Sequence, residues 1–410
     1  MSSKNLSSST PANHDEISSQ TGSRKSEVNR RSFLKNSVTA GAAVTTGVGL
    51  LNTLPSALAE QSNSAITRGD AAILRFLAAA EIIESDLWLQ YQELGGIQDN
   101  EVALLASQQI PHYPPTSPTT TGSAPYITAL GQLDGDMSQY IHDNTEDELT
   151  HETFINAYLV SKGFEPVNLD KFRTLPSSQA TGANKNLGRL TNLMQLTVDT
   201  SWWTRYRSRT GNPDLGDTFP QAIPTLAVNK HTAIPRTDND LNDPDFVQAI
   251  ANTAGFHFAF IEQGGSSLYP SLAQRVTSAE VLRIVLSIGP VETSHFQTWH
   301  DKAGNAVISK APIIDPVTKV PVFFPDLLST AVPPVGEDLQ SNLIMPEPTF
   351  FLSRNFPPVS IIRPTKTQNV AMGAVAGLTA DGLFIGQSPA FMMFLKELAM
   401  QADSAIRGGH

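Results

Sequence analysis

Glu148-Leu-Thr-His151 and Glu292-Thr-Ser-His295 are two copies of one four-residue pattern, each inside a segment with helical periodicity. Residues three apart share a helix face, so each copy points one carboxylate and one imidazole the same way. With 9 His and 17 Glu in 410 residues, chance supplies about 0.4 such motifs, so spacing alone decides little. Helical phase adds the missing weight. Met137, Ile141, Glu148, His151, Ile155 and Tyr158 recur at steps of three and four or their multiples, as do Val281, Val285, Ile288, Glu292, His295 and Trp299. Both pairs therefore lie on apolar stripes. A carboxylate on a buried stripe is costly unless it is paired, protonated or bound to a cation.

Two further segments carry a lone acid on an apolar face. Ala71 to Trp88 is a strong helix pattern whose core face runs Ile73, Leu77, Glu81, Glu84, Trp88. Glu81 is the better ligand candidate, and Glu84 fits beside it as a salt-bridge partner or outer support for the site. Phe246 to Glu262 is a long apolar segment ending in one carboxylate, and Tyr269 follows Glu262 by seven residues just as Trp88 follows Glu81. In chain order the candidates are Glu81, Glu148 with His151, Glu262, and Glu292 with His295.

This order resembles the ferritin-like superfamily of dimetal carboxylate proteins, in which four helices supply Glu, Glu-x-x-His, Glu and Glu-x-x-His to a site inside the bundle. The resemblance covers about residues 68 to 303. It implies an all-α fold, a four-helix bundle with one long crossover between its second and third helices. It also implies a site of two metal ions bridged by Glu148 and Glu292, with His151 and His295 each on one ion and Glu81 and Glu262 terminal. Glu84, Trp88, Tyr158 and Tyr269 are expected around these ligands. Position 88 is Trp where many relatives carry Tyr, which removes a hydroxyl from that place. The connections agree with such a bundle: a Pro-, Thr- and Ser-rich loop including Pro114 to Pro118 joins the first two helices, and about residues 163 to 243 join the second and third. Within that crossover Leu190 to Tyr206 is expected to form an additional helix. Gly289-Pro290 either kinks the fourth helix or marks its start.

At the N-terminus, Asn29-Arg30-Arg31-Ser32-Phe33-Leu34-Lys35 precedes an apolar stretch rich in Ala, Gly and Val that ends in Ala57-Leu-Ala59. This resembles the signal of the twin-arginine translocation pathway with its cleavage site; an uncleaved membrane anchor is the alternative. The expectation is a disordered leader and signal over residues 1–59, the translocase as a transient partner, and a periplasmic or extracellular mature protein. Loss of residues 1–59 leaves 22 basic and 36 acidic residues, a net charge of −14, which disfavours nucleic-acid binding. No later apolar run is long enough to span a bilayer.

Cysteine is absent, so disulfides, thiolate metal sites and cysteine nucleophiles are excluded. Oxygen and nitrogen ligands without sulfur suit iron, with manganese as the other option. A protein exported already folded can receive its metal before transport.

Other features have ordinary explanations. His257 and His300 each stand five residues from a candidate ligand, on another helix face, and are expected to be packed or surface residues. Gly264-Gly-Ser-Ser267 lacks the Lys and strand-helix context of a phosphate loop and is expected to be a helix irregularity or close packing point. Asp238-Asn-Asp240 is expected to be an exposed turn, and Trp202 to Arg209 a structural aromatic cover over one end of the bundle, with a substrate wall as the alternative. From residue 304 prolines recur and β-branched residues become frequent, predicting an extended arm with short strands that wraps the bundle or a neighbouring subunit of a homo-oligomer. Ser388 to Ala405 reads as a final docked helix.

The resemblance thus implies O2- or peroxide-dependent oxidation chemistry at a pair of iron or manganese ions, acting on a small-molecule substrate. The large crossover and the arm do not suit packing into a storage shell. The rival expectation is a structural or stress-protection protein that keeps the fold without the chemistry.

Overall fold

In the computed structural model, which describes residues 65–115, 122–207, 217–327, 344–345, 359–360 and 368–408, the first long helix begins at a capping box. Thr67 accepts from the Asp70 backbone N–H while the Asp70 side chain reaches back to the Thr67 backbone, starting α1 (Arg68–Gly95). The twin-arginine segment, its cleavage site and residues 328–343, 346–358 and 361–367 of the proline-rich arm lie outside the described residues. α2 (Glu101–Gln109) and α3 (Ala124–Leu130) lie in the connection to α4 (Met137–Ser161). After the short α5 (Ser201–Arg205), Asp243 caps α6 (Pro244–Ala273), and Ser278 caps α7 (Ala279–Ala303). α8 (Val370–Asp381) and α9 (Pro389–Asp403) close the chain. Among the described residues strand content is limited to two-residue pairs: β1 (Ile313–Ile314) antiparallel to β2 (Pro321–Val322), and β3 (Ile344–Met345) antiparallel to β4 (Val359–Ser360). The fold is all-α, and among the described residues no helix is long and apolar enough to cross a membrane.

Side-chain partners fix how the four long helices run. Along α6, Phe258, Gly265 and Tyr269 meet Trp299, Glu292 and Gly289 of α7 in turn, so these two are antiparallel. Along α1, Glu81, Trp88 and Gly95 meet His151, Thr145 and Ser138 of α4, another antiparallel pair. Tyr269 and His257 of α6 bond Glu81 and Tyr91 of α1, which sets α6 against α1. α4 and α6 both oppose α1 and therefore run parallel to each other. A parallel pair cannot be joined by a tight turn, and the chain has to return along the roughly 37 Å of α4 before α6 can begin.

That return path is anchored on α1 by buried charge. Asp86 accepts the backbone N–H groups of Leu190 and Thr191 and pairs with Arg173 at 2.7 Å. Glu93 pairs with the buried Arg189 at 2.5 Å and accepts from Asn184. These contacts explain why the helix expected over Leu190 to Tyr206 shrinks to α5. Backbone groups at 175, 189, 190, 191, 196 and 198 bond outward, to one another's segment, to Asp86 or to the 226–231 stretch, instead of to their own next turn. Leu190, Leu193, Leu196 and Val198 are all fully buried; the apolar content was real, the helix was not.

Three further expectations change. Asp240 is buried instead of exposed, because Asp240 and Asp315 together hold the Arg236 guanidinium. Pro290 lies inside α7, so the helix does not start there. The C-terminal region also contains a helix, α8, where only an extended arm was expected before the final one. The N-terminus of α8 is held from outside: Asp403 of α9 accepts the Ala371 and Met372 N–H groups.

Removing one partner of a buried ion pair leaves the other uncompensated. Glu93→Ala is expected to lower unfolding stability by about 3–5 kcal/mol, measured by chemical denaturation.

Candidate metal centre

Each long helix sends its predicted ligand to one place. Glu81, Glu148, His151 and Glu292 each offer an atom within 4.8 Å of one another, and so do Glu148, Glu262, Glu292 and His295. The two groups overlap in Glu148 and Glu292. All six side chains are packed away from solvent, Glu148, Glu262 and Glu292 completely.

Glu148 divides its oxygens between the histidines. Oε2 lies 3.0 Å from His151 Nδ1, and Oε1 lies 3.0 Å from His295 Nδ1. His151 Nδ1 is also 3.4 Å from oxygens of Glu81 and Glu292, and His295 Nδ1 is 3.3 Å from Glu262. Both imidazoles therefore turn the same nitrogen inward. The far side of His295 is fixed differently, by Asp147 at 3.2 Å from Nε2, an arrangement that sets the tautomer of a ligating imidazole.

The fit of a cation is tested by what the protein leaves unpaired. Glu81 Oε2, both oxygens of Glu262 and of Glu292, and His295 Nδ1 are buried without a hydrogen-bond partner. Buried polar atoms are nearly always satisfied, and these six exceptions, all of metal-ligand type, lie together in one cluster. Four carboxylates facing one another also match the charge of two divalent ions. Without cations, burial pushes Glu81 up to about 7 and Glu262 up to about 8, with His151 and His295 respectively holding them back. Burial opposes charge on both histidines, yet the facing carboxylates outweigh it and hold the imidazoles well above their ordinary range. The residues fit a metal pair.

Of the surrounding residues named from sequence, two are at the cluster. Tyr269 donates its hydroxyl to Glu81. Glu84 has its pKa raised well above the usual carboxylate value, by burial and then by Glu262, Glu148, Glu292 and Glu81. Trp88 acts at one remove: it stacks on Trp299 at 5.3 Å, and Trp299 Nε1 donates to Asn144, whose amide donates to Glu148. Tyr158 is not brought to the cluster. It lies beside Glu280 and Lys162, two helical turns beyond His151.

Sequence reasoning missed Asn144, Asp147 and Trp299 as supports. Asn144 stands four residues before Glu148, on the ligand face, and was visible in principle. Asp147 was not, because its partner is on another helix. His257 and His300 are packed away from the cluster, His257 against the Tyr91 hydroxyl and His300 against Arg207 and Trp203.

No protein-family model, curated protein or solved structure matches this chain. The centre is therefore read from its own atoms.

The α6 glycines behave oppositely. A Cβ on Gly265 would sit 2.4 Å from Glu292 Oε2 and 3.3 Å from its Cγ, whereas one on Gly264 meets nothing within 4 Å. Helix propensity favours Ala over Gly by about 1 kcal/mol at either site. Gly264→Ala is expected to realise most of that gain, while Gly265→Ala, which displaces a packed ligand, is expected to lose about 1–3 kcal/mol to overpacking. Denaturant unfolding of the two variants checks the contrast.

Proposed function

We propose that this protein is a ferritin-like dimetal protein, holding two iron or manganese ions for O2- or peroxide-dependent oxidation of a small molecule. The observation that carries this reading is the overlap of two Glu/His groups in Glu148 and Glu292, the residues that would bridge the ions. His151 and His295 would each hold one ion through Nδ1, with Glu81 and Glu262 as terminal ligands. The parallel disposition of α4 and α6 supports the same reading, since a ferritin-like bundle has its long crossover between the second and third helices. The absence of sulfur ligands favours iron or manganese over softer metals.

When bound, such a pair of ions supplies a redox centre able to take up O2 or peroxide. The chain's own residues set the conditions. Asp147 holds His295 in one tautomer, and Trp299 with Asn144 steadies Glu148. Tyr269 donates a hydrogen bond to Glu81 and so orients its carboxylate. The aromatic packing of Trp88, Phe258 and Trp299 excludes bulk water. Export through the twin-arginine pathway to the periplasm or exterior belongs to the same proposal and rests on Arg30-Arg31 and the apolar stretch after it.

Metal content by mass spectrometry, on protein purified without chelators, tests the centre. About two ions per chain are expected, lost in the Glu148→Ala, Glu292→Ala double variant. No uptake even after anaerobic Fe(II) or Mn(II) addition would leave a structural protein with ligand-like residues.

Protons compete with the ions. Below about pH 7 the metal-free Glu81 and Glu262 hold protons that cation binding must expel, and above about pH 8 they do not. Proton release on metal addition, followed in weakly buffered solution, is expected to be greater at about pH 6 than at about pH 9.

A further inference from the structure

A cavity of about 310 Å³ lies between α1, α6 and α8, a size at the lower end of pockets that enclose small organic ligands, about 300–1,000 Å³. Its inner wall contains Glu81, Glu84, Gly265 and Tyr269, so it reaches the ligand cluster directly. The body of the cavity is hydrocarbon, with Phe76, Leu87, Phe260, Leu268, Leu378 and Leu395 among its lining. α8 faces it with Gly373, Ala374 and Gly377, and a Cβ on either glycine would meet nothing within 4 Å. The space exists because α8 withholds side chains there.

The one cationic side chain among the residues lining this wall has unpaired nitrogens. Arg205, from α5 in the crossover, lines the cavity, and its Nε and Nη2 are buried without a hydrogen-bond partner. Among the described residues it forms no ion pair, and the Tyr206 ring lies 4.8 Å from the guanidinium carbon. Unpaired buried guanidinium nitrogens are costly, and a planar fork of donors matches a carboxylate. The acids of the inner wall repel a second carboxylate and leave Arg205 as the place for one.

We propose that this cavity binds a small apolar monocarboxylate, its carboxylate on Arg205 and its hydrocarbon along α8 toward Glu84. The inference deepens the dimetal reading by naming a substrate class, and its test needs no turnover. Isothermal titration of the full chain with decanoate, decanol and decyltrimethylammonium is expected to show decanoate binding about tenfold or more tightly than the other two. Arg205→Met and the milder Arg205→Gln should abolish that preference. Gly377→Leu and Ala374→Leu, which place bulk in the cavity away from every proposed ligand, should weaken decanoate about tenfold or more with metal content unchanged. Equal binding of decanol, tighter binding of the ammonium, an unchanged preference in the Arg205 variants, or no binding to folded metal-bearing protein would each overturn the proposal. Decanoate binding by a protein that takes up no metal would uphold the pocket and sink the dimetal reading.

Discussion

Four carboxylates share one buried volume with two imidazoles, and no other feature of this fold costs as much in isolation. Desolvation alone disfavours every one of these charges, and mutual repulsion adds to it. The protein brings them together nonetheless, with one helix for each lone acid and one for each acid-imidazole pair. Around them it spends small and polar residues where a generic core would place hydrocarbon. Gly265 leaves room for Glu292, Asn144 supports Glu148, and Tyr269 supports Glu81. A scaffold free of any demand for a cation would gain stability by replacing several of these groups with packed apolar ones.

The two halves of the centre are alike in ligands and unlike in support. His295 has Asp147 behind it, and the position before Glu292 that would correspond to Asp147 is Val291. Trp88 and Tyr269 occupy corresponding places seven residues beyond Glu81 and Glu262, yet only the tyrosine touches a ligand. Glu84 has Gly265 as its counterpart three residues beyond the lone acid. Each difference of this kind makes the surroundings of one Glu/His group unlike those of the other in charge or hydrogen bonding, the properties by which a protein would tune a metal held there.

The sequence was most legible where one face of a helix must be buried. The helices bearing Glu81, Glu148 and Glu292 show it in periodicity alone, and the fold brings their acids together. The final helix was equally plain because Ser388 and Pro389 mark its start. Legibility failed where the backbone is satisfied by distant side chains. Leu190 to Thr200 has the apolar content of a helix, but Asp86, about a hundred residues earlier, takes the N–H groups of Leu190 and Thr191, and carbonyls at 226, 231, 381 and 383 take those of Val198, Leu196, Thr197 and Asn192. α8 was hidden for a different reason: Gly373 and Gly377 lower its helix propensity, and it has no polar-apolar alternation to betray a face. The supports of the site, Asp147 above all, depend on which helices become neighbours, and that information is not local.

The burial of α1 from two sides has a consequence for the order in which the molecule forms. Gln90 bonds Thr191, 101 residues on, and Glu81 bonds Tyr269, 188 residues on. Such distant closures come late and slowly in folding because the entropy of loop closure precedes the contacts that reward it. Until the crossover has been laid against it, α1 holds Asp86 and Glu93 without the partners they have in the finished fold. Glu292, common to both ligand groups, and His295 come last, from α7, so the full set of six assembles only when all four long helices are in place.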